Sequence, residues 1–398
     1  MKEINKYIKE QVALIEDKII AVREHLHKNP EISFELYKTM GFICSYLDEL
    51  GIEYKSEIAK TGVVALIKGE KGTVSPKTLL LRADMDALPI CENSDKPYKS
   101  INEGSMHACG HDAHMAVMLG VCEVLSKNTD KFSGYVKVVF QPAEETSGGA
   151  KPMIDEGVLE NPKVDACLAL HSDTDIETGK IRIKPGSLYA SPDDFKITVK
   201  GRGGHGAEPH NCVDTIRIAA QVITALMSIV SRDVDPFENA VITIGSIHAG
   251  SAANIIPDTA EIMGTVRSLK PEVRALLKNR IGEVANSVCT AFGAECVYEF
   301  IKSYPPLIND EKLAENLYTV ASDILGEDNC IYGGNATMAG EDFAYFAESC
   351  PSVLFKLGCM NEEKGCIYPL HHSSFDIDED ALSHGISVFT AFALDYLN

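Results

Sequence analysis

Three histidines and a cysteine lie within one eight-residue segment, from His107 to His114. The adjacent carboxylates Glu144 and Glu145 follow an apolar run further along the chain, and His171 follows another apolar run. Thiolate, imidazole and carboxylate are the groups that bind transition metals. A metal that activates water also needs a free carboxylate as base, and the pair can supply one ligand and one base. The sequence therefore predicts a metal-dependent hydrolase.

The residues around this cluster leave several roles open. His111 and His114 are three apart at the start of a predicted helix, so one can bind a metal while the other supports it from outside. Asp84 and Asp86 can each orient a ligand histidine, and a role in capping a turn is equally compatible with their position. His371, near the C-terminus, is a weak candidate alone. The case for a metal site therefore depends on the joint arrangement.

Polar residues in the middle of the chain are further candidates. His205 lies in a glycine-rich loop that could carry it toward a substrate oxygen, although the glycines could equally serve only a flexible turn. Asn254 and Arg267 are candidates for holding a substrate carboxylate. A turn residue and a solvated strand end are the competing interpretations of these two positions, and the sequence alone favours them.

Strands alternate with helices in the first half of the chain. Buried strands are predicted over 63–67, 78–83, 136–140 and 164–170. Helices are predicted over 4–28, 36–50, 112–126 and 148–156. This alternation indicates an α/β domain with a mainly parallel central sheet. The candidate ligands follow strand ends, where open α/β sheets place their sites.

The pattern changes near residue 190. The order of predicted elements becomes βαββαβ, which is typical of a compact open-faced sandwich, over 195–200, 212–231, 240–248, 259–266, 271–292 and 295–302. Elements at 310–326, 353–357 and 378–397 then return to the first domain. We therefore predict a catalytic metal-binding domain of residues 1–189 and 304–398. A ferredoxin-like lid or dimerisation domain of residues 190–303 is inserted in it.

Composition restricts the class of protein. The chain has 398 residues and a formal net charge of -21, which argues against a nucleic-acid partner and against an anionic membrane surface. The first residues carry frequent charges rather than a signal-peptide core, and we expect no apolar run long enough to span a bilayer. The twelve cysteines show no framework spacing, so we expect reduced thiols and a cytoplasmic protein.

Taken in order, the motifs resemble those of bacterial N-acyl-amino-acid amidohydrolases, the group that includes hippurate hydrolases and plant auxin-conjugate hydrolases. The matching segments are spread over nearly the whole chain. They are 23–31, 81–90, 106–114, 141–145, 203–210, 254–257, 340–343 and 370–371. The resemblance implies a metallopeptidase-like fold with two divalent metal ions, Zn²⁺ or Mn²⁺, in each subunit. It also implies a homodimer through the lid domain.

The resemblance further implies a role for each site residue. The family's metal-ligand positions correspond here to Cys109, His111, Glu145, His171 and His371. Glu144 falls on the general base, and Asp86 on an aspartate that supports the ligands from outside. His205 falls on a residue that contacts the reacting carbonyl, often from the partner subunit.

The predicted reaction is hydrolysis of the amide bond of an N-acyl or N-aroyl amino acid to a carboxylate and a free amino acid. A dipeptidase or carboxypeptidase on the same fold is the first alternative, because its chemistry is identical and only the pocket differs. A non-catalytic metal- or ligand-binding relative is the alternative of another class. Glu144 argues against it, since a pure binder needs no base beside a ligand.

Overall fold

The structure is a computed structural model that describes residues 2–72 and 75–398. The chain forms two compact units. The first comprises Met1–Gly186, Ile308–Asn335 and Tyr345–Asn398, and the second comprises Ser187–Leu307 and Ala336–Ala344. The second unit is therefore inserted in the first, with one short additional segment.

Eleven α-helices occur in the described residues. In chain order they are α1 Lys2–Ala13, α2 Glu16–Lys28, α3 Tyr37–Leu50, α4 His111–Ser126, α5 Ala150–Asp155, α6 Thr215–Leu226, α7 Ile229–Arg232, α8 Pro271–Ala291, α9 Glu311–Leu325, α10 Ala344–Ser349 and α11 Asp380–Tyr396. Short 3-10 helices cover Thr129–Lys131, Pro209–Asn211 and Glu327–Asn329.

The strands of the described residues are numbered in the same way. They are β1 Glu53–Ile58, β2 Gly62–Lys68, β3 Thr78–Asp84, β4 Tyr135–Gln141, β5 Ala166–Glu177, β6 Ile181–Ile183, β7 Gly186–Tyr189, β8 Ser191–Lys200, β9 Gly204–His205, β10 Ala240–Ala249, β11 Ile255–Ile256, β12 Thr259–Ser268, β13 Glu295–Ile301, β14 Leu307–Asn309, β15 Cys330–Tyr332 and β16 Ser352–Met360.

An eight-stranded sheet forms the centre of the first unit, in the order β1-β2-β4-β3-β5-β16-β6-β15. Its central strands β4, β3, β5 and β16 are parallel, whereas β1, β2 and β6 make antiparallel pairs. Every residue of β3 is buried, as expected for a strand covered on both faces. The predicted α/β class with a mainly parallel sheet is confirmed. The parallel centre brings the ends of β3 and β4 and the middle of β5 to one region.

Helix α4 packs against this sheet and against α2 and α11. All of its residues from His111 to Leu125 are buried, because its sequence is apolar around nearly the whole circumference. A large apolar core joins α4 to the sheet and to the N- and C-terminal helices. The residues that open α4 are therefore held in a rigid and water-poor environment.

The second unit has the predicted βαββαβ order, formed by β8, α6, β10, β12, α8 and β13. Its sheet has the order β10-β12-β8-β13, which is the ferredoxin-like arrangement, and all of its pairs are antiparallel. Side chains of β8 alternate in burial, and Phe195, Ile197 and Val199 pack with α6 and α8 in a separate core. The predicted ferredoxin-like domain is thus confirmed as a fold.

Three predicted elements differ from the observed ones. The helix predicted over 4–28 is two helices, since α1 ends at Ala13 and α2 begins at Glu16. The strand predicted over 164–170 extends to Glu177, so His171 lies within β5 rather than after it. The helix predicted over 212–231 is divided into α6 and α7.

One helical stretch of the described residues, Thr215–Arg232, meets the length and composition of a membrane span. The prediction that no apolar run is long enough was therefore too strict. This stretch contains the break between α6 and α7, and its apolar residues Ile218, Val222 and Leu226 pack in the core of the second unit. Core helices of this kind satisfy the same criterion.

Candidate metal centre and active site

The loop before α4 is shaped by Gly110. This residue has φ +83° and precedes the first residue of the helix, His111. A Cβ at Gly110 would lie 2.7 Å from the Ser172 hydroxyl oxygen of β5. Glycine is therefore required here both for the left-handed backbone and for the close approach of β5. The consequence is that Cys109 and His111 face the same strand that carries His171.

Cys109, His111 and His171 form a first group of possible metal ligands. Their ligand atoms lie within 4.8 Å of one another and all three residues are buried. The Cys109 Sγ is 3.5 Å from His171 Nε2. One thiol and two imidazoles thus come together from a loop, a helix start and a strand. Sulfur and nitrogen ligands suit a soft or borderline metal.

Cys109, Glu145 and His371 form a second group, which shares the thiol with the first. His371 Nε2 lies 3.3 Å from Glu145 Oε1. His371 has φ +64°, and its backbone N–H donates to the Ala108 carbonyl at 2.7 Å. The C-terminal segment is thereby tied to the cysteine loop, and the two groups together can hold two ions side by side.

Hydrogen bonds fix the orientation of two candidate ligand imidazoles. The Nδ1 atom of His111 lies 2.8 Å from the Asp86 carbonyl, and that of His171 lies 2.7 Å from the Ser172 carbonyl. A carbonyl can only accept, so both Nδ1 atoms carry hydrogen, and Nε2 is the nitrogen of each ring that can bind a metal once it is deprotonated. Among the described residues, the buried Nε2 of His111 makes no hydrogen bond, and neither does the buried Oε1 of Glu145, whose contact with His371 Nε2 at 3.3 Å is an ion pair. Such orphaned acceptors are what a bound cation would satisfy.

The charge of this region also fits a cation. Burial lowers the pKa of His111, but the Asp84, Asp86 and Glu145 carboxylates outweigh burial and raise it to about 10. Burial, with the Glu145 and Glu144 carboxylates, raises the pKa of the Cys109 thiol well above its usual range. Several buried carboxylates around one imidazole are costly unless positive charge is present, and divalent ions would supply it.

Asp86 contacts both the ligand candidate His111, through its backbone carbonyl, and the carboxylate pair, through its side chain. Its Oδ1 accepts from the Glu144 backbone N–H at 2.9 Å and its Oδ2 accepts from the Glu145 N–H at 3.2 Å. The residue before the pair, Ala143, has φ +58°, a strained value for a side-chain-bearing residue. Strain and hydrogen bonds together fix the turn. As a result, a carboxylate oxygen of Glu144, one of Glu145 and an imidazole nitrogen of His111 lie within 4.8 Å of one another.

His114 supports the site from outside. Its Nδ1 lies 2.6 Å from Asp84 Oδ1, and its Nε2 accepts from the Ser172 backbone N–H at 2.9 Å. Both ring nitrogens are thus engaged by protein groups, although His114, Asp84 and His111 also lie close enough to form a ligand group. These contacts favour His111 over His114 as the metal ligand.

Three contributors had no role in the sequence prediction. Ser172 donates to His114 through its backbone and accepts from His171. Buried Arg23 and His27, one turn apart on α2, both contact Asp112, which follows His111. Arg23 and His27 lie in the matching segment 23–31, but that match assigned them no role, and the position of Ser172 after a candidate ligand is not a specific signal.

The second unit carries the remaining candidates. His205 lies in β9, which pairs with β11, and the Gly206 N–H donates to the Asn254 carbonyl at 2.8 Å. His205 and Asn254 are therefore neighbours. Arg267 lies near the other end of β12, where its Nη1 donates to the Asp193 carbonyl at 3.3 Å and the Val266 carbonyl at 3.1 Å. The structure does not bring Arg267 to the other two.

A family comparison decides the class of this site. Residues 80–395 match the model of peptidase family M20/M25/M40. The chain belongs to this family. The matched range contains both ligand groups and the Glu144–Glu145 pair, so the predicted metallopeptidase-like family and the predicted hydrolase class are confirmed.

Individual relatives of this M20-family chain cover nearly all of its length. A protein named thermostable carboxypeptidase 2 from Saccharolobus solfataricus is 41% identical over 395 residues, 98% of each chain. A hippurate hydrolase of Campylobacter jejuni is 39% identical over 94% of this chain and 96% of its own. An N-acetyl-L-cysteine deacetylase of Bacillus subtilis is 40% identical over 93% of this chain and 86% of its own.

A solved structure bears on the metal content. The Bacillus subtilis YXEP protein, described as a dinuclear metal-binding peptidase of the M20 family, superposes with a TM-score of 0.83 at 32% identity. The match covers 97% of this chain and 99% of that one. Together with the two ligand groups that share Cys109, this similarity supports two divalent metal ions per chain.

Proposed function

We propose that this M20-family enzyme hydrolyses the amide bond of N-acyl or N-aroyl amino acids. The observation that carries the proposal is the pair of ligand groups sharing Cys109 with a further carboxylate, Glu144, beside them. Relatives named hippurate hydrolase and N-acetyl-L-cysteine deacetylase, similar over nearly the whole chain, support this substrate class. The products are a carboxylate and a free amino acid.

The proposed ligands are two groups of three with a shared thiolate, formed by Cys109, His111 and His171 and by Cys109, Glu145 and His371. The thiolate and imidazoles suit Zn²⁺, whereas the carboxylate is also compatible with Mn²⁺, and we propose one of these two metals. When bound, such ions lower the pKa of a water molecule and polarise a carbonyl.

Glu144 is the proposed general base. It takes a proton from the attacking water and later delivers it to the leaving amine, so that no net proton remains on the enzyme. Asp86 holds the Glu144 and Glu145 backbone N–H groups, which keeps one carboxylate for metal and leaves the other for proton transfer. The role proposed for Asp86 is therefore positioning.

His205 is proposed to donate a hydrogen bond to the oxyanion that develops on the scissile carbonyl. Its neighbour Asn254 is proposed to bind the substrate carboxylate. Arg267 was predicted for the same role, and it is the less favourable of the two because protein carbonyls already occupy one of its guanidinium nitrogens.

A homodimer through the second unit is also proposed. Strand β10 forms one edge of the sheet of this unit, and edge strands offer unpaired backbone groups to a partner. Exposed apolar side chains lie on the same sheet, at Val241, Ile247 and Met263. An isologous pair of such edges would close by two-fold symmetry. The cytoplasmic location and the absence of nucleic-acid and membrane partners stay predictions.

A carboxypeptidase activity is the second candidate. The specific observation in its favour is the relative named thermostable carboxypeptidase 2, at 41% identity. Both reactions break an amide bond next to an amino acid that carries a free carboxylate, so the same metal centre and base would serve either. They differ in whether the acyl side is a simple carboxylic acyl group or an aminoacyl or peptidyl group, which only the pocket distinguishes.

A substrate panel separates the two candidates. The metal-loaded protein is incubated with acetyl, benzoyl and longer acyl conjugates of several amino acids, and with unblocked dipeptides and tripeptides of the same C-terminal residues. Amine release is followed throughout. We expect kcat/KM to be highest for an acyl conjugate. A preference for unblocked peptides would favour the peptidase, and turnover of neither class by a metal-replete protein would revive the non-catalytic alternative.

A further inference from the structure

Arg23 of α2 is a fully buried guanidinium at the centre of three ion pairs. Its Nε lies 2.8 Å from Asp112 Oδ2, its Nη2 lies 2.7 Å from Asp376 Oδ1, and its Nη1 lies 3.2 Å from Glu379 Oε1. The Arg23 and Asp112 side chains are both completely inaccessible to solvent. Burying a cation is costly unless its carboxylate partners are well placed. The three contacts of Arg23 are therefore expected to require one defined geometry.

The three carboxylates come from two segments that carry metal-ligand candidates. Asp112 directly follows His111 at the start of α4. Asp376 and Glu379 follow His371 on the segment that leads into α11. Arg23 therefore joins the helix start that presents one ligand to the C-terminal segment that presents another, although it does not touch either imidazole.

Neighbouring groups reinforce the same two attachments. His27 Nδ1 lies 2.8 Å from Asp112 Oδ2, and Tyr98 donates its hydroxyl to Asp376 Oδ2 at 2.8 Å. The Arg23 contacts with Asp112 and Asp376 are 2.8 and 2.7 Å long. Guanidinium–carboxylate hydrogen bonds of this length are directional, so they fix the relative position of the two segments.

We propose that Arg23 is a positioning residue, which holds the His371 segment against the start of α4 and so sets the affinity of the ligand group Cys109–Glu145–His371. The proposal rests on the ligand set of the proposed function, but not on any substrate. The proposal predicts different effects on the two ions. The group Cys109–His111–His171 is built on a buried helix start and a central strand, so its affinity should not depend on Arg23.

The two groups differ in how firmly they are held. His111 and His171 are buried, whereas the His371 side chain is 53% exposed and its backbone has a positive φ. Without Arg23, the Asp112 and Asp376 carboxylates would face each other with less compensating charge and would repel. We expect the more exposed His371 segment to move away while the buried group stays.

Metal titration of Arg23→Met and Arg23→Lys tests this. Metal-free protein is titrated with Mn²⁺ or Zn²⁺ against a competing chelator of known affinity, and both binding steps are fitted without any substrate. We expect one ion to bind Arg23→Met with near wild-type affinity and the other to bind about 10- to 100-fold more weakly, the usual effect of losing an outer partner of a ligand. Arg23→Lys keeps the positive charge but not the planar guanidinium. Its affinity at the weakened step should therefore lie between those of the wild type and Arg23→Met.

A matched buried ion pair in the second unit controls for general destabilisation. Arg274 makes a two-pronged contact with Asp193 at 2.7 and 2.6 Å, and their side chains are 9% and 0% exposed. Arg274→Met should lower the melting temperature of the metal-free protein and leave both metal affinities unchanged. His371→Ala should weaken the same binding step as Arg23→Met, and the double variant should add little to it.

Several results would overturn the proposal. Two ions bound to Arg23→Met with wild-type affinity would do so, as would equal weakening of both steps. If Arg23→Met does not fold, Asp376→Asn takes its place, with the same expectation and the same overturning results. If the wild-type protein binds two ions but hydrolyses nothing in the substrate panel, only the proposed function is refuted. If the wild type hydrolyses acyl amino acids but Arg23→Met loses both ions equally, only the role of Arg23 is refuted.

Discussion

Glu144 and Glu145 are identical side chains whose contacts separate their proposed roles. Glu145 Oε1 lies 3.3 Å from His371 Nε2 and 3.8 Å from His111 Nε2, within reach of the ligand groups. Glu144 is anchored through its backbone to Asp86 and adds its carboxylate to the same cluster. A carboxylate beside a metal site that is not required as a ligand is suited to proton transfer.

Glu144→Gln should therefore lower kcat by at least about 100-fold, a typical contribution of general acid–base catalysis. The amide keeps the volume and can still bond to its neighbours, so metal content and melting temperature should stay near wild type. Amine release by the metal-replete variant measures the effect. Near-normal kcat in that protein would remove Glu144 from the mechanism.

Cys109→Ser should weaken metal retention more than any other cysteine substitution. The Cys109 thiol belongs to both ligand groups, and a hydroxyl is a much poorer ligand than a thiolate. Cys122→Ser is the control, because Cys122 is equally buried on α4 but lies outside these groups. Metal content after dialysis against a mild chelator checks this, and equal retention by the two variants would make Cys109 a bystander.

The residue types of the site could be predicted, but their orientation could not. The cluster from His107 to His114 and the Glu144–Glu145 pair carry metal chemistry in their composition alone. Which nitrogen of His111 faces the ligand group depends instead on the contact of its Nδ1 with the Asp86 carbonyl, between segments that are distant in sequence. The buried links of Arg23 to Asp376 have the same origin, since local pattern does not encode long-range pairing.

At the scale of elements, the buried carboxylate of Glu123 connects α4 to α2 and α3, in addition to the Asp112 contacts with α2. Glu123 accepts from Lys18 of α2 at 2.8 Å, from the Tyr46 hydroxyl of α3 at 2.6 Å and from Lys127 at 2.7 Å. Burial opposes ionisation, but these donors outweigh it and lower the pKa of Glu123 to about 2. The helix layer that supports the site therefore depends on an ionised acid.

Glu123→Gln should lower the free energy of unfolding of the metal-free protein at pH 7 by about 1–3 kcal/mol, as for hydrogen bonds to charged groups. Because the folded pKa lies below the usual value, this contribution is present above about pH 4.5 and is lost as pH falls toward about 2. Urea unfolding at several pH values should therefore show the two proteins converging in acid.

Glu261→Gln is the control for this experiment. It removes a pair with Lys196 that is partly exposed, at 2.8 Å, and should cost less than about 1 kcal/mol. A difference between wild type and Glu123→Gln that does not shrink below pH 4.5 would refute the electrostatic explanation.

The element pattern was predictable where periodicity is strong and failed where local signals are weak. The βαββαβ order follows from alternation of apolar residues, as in β8. The break between α1 and α2 falls at Leu14 and Ile15, two residues that fit a helical pattern and give no stop signal. The extension of β5 past His171 is fixed by pairing with β16, which no local pattern reveals.

At the scale of the whole molecule, the second unit carries His205, the proposed oxyanion donor, but none of the proposed metal ligands. His205→Ala should therefore leave metal content intact and reduce kcat sharply, by about 100-fold if it supplies one oxyanion donor. If the active site is shared in the dimer, mixing His205→Ala with Glu144→Gln protein should restore part of the activity after subunit exchange, because one site of each mixed dimer would contain both intact residues.

Two observations would count against this arrangement. Mixed dimers that form, as detected by differently tagged subunits, but recover no activity would exclude a shared site. A monomer in sedimentation experiments at the working concentration of the enzyme would refute the dimer itself. Loss of metal from His205→Ala would instead indicate that His205 supports the metal centre rather than the substrate.

The central claim is that hydrolysis depends on two divalent ions held by this chain. The most direct measurement is the rate of amine release from the preferred acyl amino acid while metal-free protein is titrated with Zn²⁺ or Mn²⁺. We expect no significant turnover without metal and a rate that reaches its maximum near two equivalents per chain. Full activity in the metal-free protein, or no turnover of any acyl amino acid or peptide with two ions bound, would contradict it.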